Sequence, residues 1–126
     1  VIIWELSRVR KELRLTRNED FQKVYRLGKS AANHQFVVYY RLNQTVEKFH
    51  LGVSVSKKIG NAVVRNRLRR KIKEIVRLNE SQIKPQIELI IIARKPAVEM
   101  EYADMQRSVF HVLNRAGIFV KSGDKR

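Results

Sequence analysis

The chain has 126 residues, 44% of them apolar, and sets 27 Lys and Arg against 12 Asp and Glu for a formal charge of +15. That length suits one domain with a small core, and the charge calls for a polyanionic partner or salt to offset self-repulsion. RNA, DNA and an anionic membrane all fit. The chain has no cysteine, which excludes disulfide frameworks, thiol catalysis and thiolate metal sites and is compatible with a reducing cytoplasm, the location expected here.

Residues 1–14 open with a short apolar stretch followed by basic residues, the reverse of a secretory signal. They are expected to form an N-terminal extension without a targeting role. Thr16 and Glu19 have the spacing of a capping box, so a helix is predicted from Thr16 through Phe21, Val24 and Tyr25 to Leu27, with Gly28 as its left-handed stop. The run from Gln35 to Leu42 is rich in β-branched and aromatic residues, and Leu51, Val53 and Val55 alternate with Gly52, Ser54 and Ser56. These read as two strands of a hairpin joined by a polar turn.

Gly60 is then expected at positive φ and Asn61 as the N-cap of a helix from Ala62 to Leu78. On a wheel of about 100° per residue, Val64, Ile72 and Ile75 fall within about 40° of Leu68 and form a stripe for the core. Arg65, Asn66, Arg69, Arg70, Lys73 and Arg77 share one polar arc, while Arg67, Lys71 and Glu74 lie on the other flank. A merely solvated helix face would mix signs, because like charges one turn apart repel by a few tenths of a kcal/mol per pair. Here Arg65 with Arg69, and Arg69 with Lys73, place like charges at that spacing, an arrangement that nucleic-acid phosphates relieve.

Pro85 marks a loop, and Ile87 to Ala93 reads as a strand apolar on both faces. No apolar run reaches the roughly 20 residues that span a bilayer, the longest being Leu89 to Ala93. A last helix, Glu101 to Ala116, places Met105, Val109, Val112, Leu113 and Ala116 on one side and stops at Gly117. Residues 120–126 are expected to be a disordered basic tail. The domain expected over 15–119 is therefore an α/β (α+β) sandwich around a small mixed sheet, in the order α-β-β-(β)-α-β-α. If the strands flanking the basic helix are parallel, the general rule makes their crossover right-handed.

Side-chain catalysis is not expected. His34, His50 and His111 fall in a loop, at a strand start and on a helix, with no metal-ligand spacing and no nucleophile motif beside them. Glu99, Glu101 and Asp104 cluster where acids favour the start of the last helix. The aromatics are more suggestive. Phe21 and Tyr25 are one helical turn apart, and Tyr39 shares a strand face with Val37 while Phe36, Val38 and Tyr40 share the other. Beside a basic helix they suggest a platform for single-stranded nucleic acid.

Three stretches, NEDFQKVYRLGKSAANHQFVVYY, LGVSVSKKIGNAVVRNRLRRKIKE and IIIARKPA, resemble the protein subunit of bacterial ribonuclease P over about Leu15 to Phe119. The resemblance implies a basic protein that binds a catalytic RNA and helps it remove the 5′ leader of precursor tRNA, the RNA doing the hydrolysis with Mg²⁺ bound mainly by RNA. It transfers contact with the catalytic RNA to Lys58, Arg65, Asn66, Arg67, Arg69, Arg70 and Lys73, and a leader-binding cleft to Phe21, Tyr25, Val37 and Tyr39. It also implies a left-handed crossover, as in the ribosomal protein S5 domain 2-like fold, against the general rule. Neither a membrane nor DNA is an expected partner. The alternative is a structural ribosomal RNA-binding protein; a DNA regulator or an autonomous metal nuclease would need a second packed helix or clustered acids.

Overall fold

The computed structural model describes residues 18–120, so Thr16, the extension 1–14 and the tail 120–126 apart from Val120 lie outside the described residues; Val120 itself donates its backbone N–H to the Gln82 carbonyl at 2.7 Å. The elements are α1 (Asn18–Leu27), β1 (Lys29–Ala32), β2 (Phe36–Leu42), β3 (His50–Val55), α2 (Ala62–Leu78), β4 (Ile87–Ala93) and α3 (Tyr102–Ala116). Short 3₁₀ turns at Lys57–Ile59, Glu80–Gln82 and Lys95–Glu99 join them.

One mixed sheet runs in the order β1-β2-β4-β3. β4 pairs antiparallel with β2, Val38 opposite Ile91, and parallel with β3, Val53 opposite Ile91. The hairpin expected between β2 and β3 is therefore not formed. β4 inserts between them because it is the most apolar strand, and only the sheet centre covers both faces of Leu89, Ile90 and Ile91, all fully buried. A parallel neighbour to β4 then requires the crossover that α2 supplies.

The hairpin that does form joins β1 to β2. β1 reads KSAA, without alternation, and is set by its turn: Asn33 Oδ1 accepts the backbone N–H of Gln35 at 3.0 Å and of Phe36 at 2.8 Å. The Asn33 amide donates on to the Ser108 carbonyl at 2.9 Å, tying this edge to α3. Gly28 is not the expected left-handed stop, since among the described glycines only Gly117 lies in the left-handed region, with φ 73°. Gly28 is needed for space: a Cβ there would sit 2.3 Å from the Tyr40 carbonyl oxygen and 2.6 Å from that of Val24. Gly60, too, is extended, with φ 166°.

The sheet separates two apolar layers. Phe36, Val38, Leu51, Val55, Leu89 and Ile91 face α2 and α3, which contribute Leu68, Ile72, Ile75 and Val76, and Met105, Val109, Val112 and Leu113. On the other face Val24 of α1 covers Ile90, with Phe21, Tyr25, Tyr39 and Ile92 half-buried around them. α1 has only three turns and cannot cover that face completely. The larger core thus lies on one side, and a partly open apolar floor on the other.

A charged group is buried in the central strand. Glu88 is 5% exposed; its Oε1 accepts from Arg41 Nη2 at 2.8 Å and Nε at 3.1 Å, and its Oε2 accepts from the Asn43 amide at 3.2 Å. Arg41 lies directly opposite Glu88 in the β2–β4 ladder, so the pair closes one end of the α1 face.

Candidate nucleic-acid interface

The start of α2 is fixed by three local bonds. Ser56 Oγ accepts the Lys58 N–H at 3.2 Å and organises the Lys57–Ile59 turn. Asn61 caps α2 as expected, its Oδ1 accepting the Val64 N–H at 3.0 Å. Arg65 Nε donates back to the Gly60 carbonyl at 3.1 Å. No acid occupies the first turn to favour the helix dipole, so the cap and the core contacts hold this end.

The buried stripe of α2 widens toward its C-terminus. Leu68, Ile72, Ile75 and also Val76 are buried, whereas Val64 is half-buried. The first half of the helix therefore stands proud of the core and carries the basic residues on its free surface.

Arg69 Nη1 donates to Asn66 Oδ1 at 2.7 Å, and together with Arg70 and Lys73 these residues line an open concavity. Four of the expected RNA-contacting residues are thus brought together. Arg65 is half-buried against the helix start, Lys58 is exposed in the turn before it, and Arg67 is exposed on the other flank. Arg70 borders both flanks, since a second hollow is lined by Arg67, Arg70, Lys71, Glu74 and Tyr102.

The like-charge spacing is partly relieved within the helix, because Arg65 folds back on a carbonyl and Arg69 leans on an amide oxygen. Arg77, which the wheel sets on the arc away from Glu74, pairs with it at 2.8 Å. The carboxylate bond holds the Arg77 guanidinium above its ordinary pKa, and that part of the arc is neutralised.

Phe21, Tyr25, Val37 and Tyr39 converge on the α1 face of the sheet. The Tyr25 and Tyr39 rings meet edge to face with centroids 5.0 Å apart. Tyr25 also shares a side-chain hydrogen bond with Ser54; burial, the larger effect, still raises its pKa, so it remains a phenol at neutral pH. The sequence did not single out Gly52 or Ile92, yet both belong to this floor. Ile92 lies beside Val37 and Ser54 in the ladders, and a Cβ on Gly52 would sit 2.5 Å from the tip of the Phe21 ring.

Their absence from the sequence reading has a simple cause: alternation puts Gly52 and Ile92 on this face only once the β3–β4 register is known. Gly52→Ala is expected to push the Phe21 ring out of its seat, with a thermal midpoint lowered by a few degrees and a larger loss in binding of a leader-length RNA oligonucleotide. Unchanged oligonucleotide affinity would place Phe21 outside the contact.

His34 and His111 are exposed and His50 is half-buried. Asp104 pairs with Arg107, and Glu101 occupies the N-cap position of α3 without a side-chain cap bond. Among the described residues no group of three or more His, Asp or Glu side chains is placed to hold a metal ion, and no helix is long and apolar enough to cross a membrane. β3 and the short Lys57–Ile59 3₁₀ turn, not an α-helix, lead into α2, so the scaffold of a helix-turn-helix DNA reader is not formed there.

A sheet backed on one side by a basic crossover helix, and partly open on the other as an aromatic-lined floor, defines a small basic α/β protein with surfaces of the kind that suit a nucleic acid. Comparison with known proteins gives the family. The sequence profile of the family described as Ribonuclease P matches residues 9–117. The ribonuclease P protein component of Listeria innocua is 52% identical over 105 residues, covering 83% of this chain and 88% of that protein; that of Staphylococcus epidermidis is 48% identical over 111 residues, covering 88% and 96%.

The solved structure of the Staphylococcus aureus RNase P protein superposes with a TM-score of 0.81 at 45% identity, covering 86% of this chain and 98% of that one. The chain belongs to the ribonuclease P protein family, whose members are protein components of a tRNA-processing endoribonuclease.

Proposed function

We propose that the α2 ridge of this chain binds the catalytic RNA of ribonuclease P and that the α1-face cleft holds the single-stranded 5′ leader of precursor tRNA. The observation that carries this reading is the concavity of Asn66, Arg69, Arg70 and Lys73 on a helix whose opposite side is locked into the core. A rigid backing lets guanidinium and ammonium groups meet phosphates without ordering a loop, and displaced counterions supply much of the binding free energy. Tyr25 and Tyr39, half-buried and mutually braced, offer ring surface on which unpaired bases stack irrespective of sequence.

Bond breaking is assigned to the RNA. Mg²⁺, bound mainly by the RNA, would supply charge neutralisation at the phosphate; among the described residues no group of three or more His, Asp or Glu side chains offers it a site in this chain. What this chain contributes is binding and charge screening between two polyanions. Family membership favours this reading over a structural role in the ribosome.

Cleavage of precursor tRNA by the catalytic RNA, titrated with Mg²⁺ in the presence and absence of the protein, tests it. The protein is expected to shift the Mg²⁺ dependence to lower concentration, and the shift should shrink when Tyr25 and Tyr39 are both replaced by Ala. Superimposable titrations with and without protein would refute the proposal.

A further inference from the structure

We propose that the hollow between α2 and the start of α3 takes up an unpaired nucleotide of the catalytic RNA, with Tyr102 as its stacking surface and Arg67, Arg70 and Lys71 as its phosphate contacts. The inference rests on the reading that α2 binds that RNA and adds a base site on the flank away from the Asn66–Lys73 concavity.

Among the described residues Tyr102 is one of the few large apolar side chains left exposed, at 36%, and it stands at the first position of α3, against the basic flank of α2. The hollow measures about 230 Å³, below the roughly 300–1,000 Å³ of drug-sized sites and suited to one flat base. Three of its five lining residues are cationic. An aromatic ring beside guanidinium planes is the surface on which splayed-out RNA bases stack, with the cations reaching the flanking phosphates.

The acid in the wall does not oppose this. Glu74, about two helical turns from Arg67, is gripped by Arg77 through Nη2 at 2.8 Å and Nε at 3.3 Å, so the carboxylate near Tyr102 is already paired. Tyr102 itself stays uncharged, because partial burial and the nearby Glu74 raise its pKa more than Arg77 lowers it. The site thus presents net positive charge around a neutral ring.

The geometry also separates this site from the leader. α2 and α3 cover one face of the sheet and the aromatic floor under α1 is the other, so a single strand lying in the cleft does not pass through the hollow. A base bound here comes from RNA that wraps the outer side of α2.

The test compares Tyr102→Ala, Tyr102→Leu and Tyr102→Phe in the full chain for affinity to the catalytic RNA, alongside base-specific chemical probing of that RNA. Loss of one stacked base predicts about tenfold weaker binding for the Ala and Leu variants at an unchanged salt slope, with the Phe variant within about twofold of the parent. One unpaired nucleotide should become newly reactive with Ala and Leu, a readout that altered packing alone would not produce.

Arg67→Ala with Lys71→Ala should instead flatten the salt slope by about 1.5 units. Parent-like binding by Tyr102→Leu, or an unchanged probing pattern, overturns the proposal. A loss seen with precursor tRNA but not with the catalytic RNA overturns the assignment of the partner. Failure of the parent chain itself to bind the catalytic RNA would overturn the underlying function instead.

Discussion

Replacing Arg69, Arg70 and Lys73 together by Ala is expected to weaken binding to the catalytic RNA by about a hundredfold near physiological salt and to reduce the slope of log affinity against log salt by about 2 to 3 units. The magnitude follows from counterion release, in which each lost phosphate contact removes somewhat less than one unit of slope. The three side chains sit at the surface of α2 and the buried stripe of Leu68, Ile72, Ile75 and Val76 is untouched.

Folding stability should therefore stay within about 0.5 kcal/mol of the parent. Relief of repulsion one turn apart can make the variant slightly more stable. Titrations at four or more salt concentrations supply the slope, and an unchanged value would remove these side chains from the interface. Arg65→Ala is a less clean probe, because its Nε bond to the Gly60 carbonyl also holds the start of the helix.

The largest effect on stability is expected at Glu88. Glu88→Ala leaves the Arg41 guanidinium, only 23% exposed, without the carboxylate that takes two of its hydrogen bonds, and removes the partner of the Asn43 amide. Breaking a buried pair from one side costs about 3–5 kcal/mol. The residual exposure of Arg41 points to the lower end, about 3 kcal/mol, measurable as a shift of the urea midpoint.

Replacing both partners with leucine should recover most of that loss, since the unpaired charge is then gone as well. A single-variant loss below about 0.5 kcal/mol would mean that water takes over the carboxylate's role. Affinity of the folded fraction for the catalytic RNA should be unaffected, because α2 packs on the opposite face of the sheet from the pair.

Much of the interface is legible in the chain because its signals are local. The α2 limits, Ala62 and Leu78, follow from Asn61 as a cap and from the apolar spacing, and they agree with the structure. The αL stop at Gly117 does too, being a property of one residue and the turn before it. Phe21, Tyr25, Val37 and Tyr39 can be grouped from helical and strand periodicity combined with the family resemblance, and they do share one face.

Other features depend on pairing between distant segments. β1 was not legible because KSAA carries no alternation; its pairing comes from the Asn33 turn and the Ser108 contact, 75 residues away. Glu88 looks like a surface interruption in an apolar strand until Arg41 is found opposite it. Gly28 reads in the sequence as a left-handed stop and Gly52 as an alternating strand position, but both serve as clearance, for Tyr40 and Phe21.

By itself, the sequence determined the charge, the helix that displays it and the residue types able to hold RNA, since each depends on neighbours within a few positions. Only the tertiary structure decided that β4 lies between β2 and β3, which faces of the sheet stay open, and that Tyr102 lines one hollow with Arg67 and Lys71 of another helix. The physical reason is the burial of β4: its apolar residues on both faces are satisfied only at the centre of the sheet, and that placement sets the neighbours of Val37, Tyr39, Gly52 and Ile92 on the α1 face.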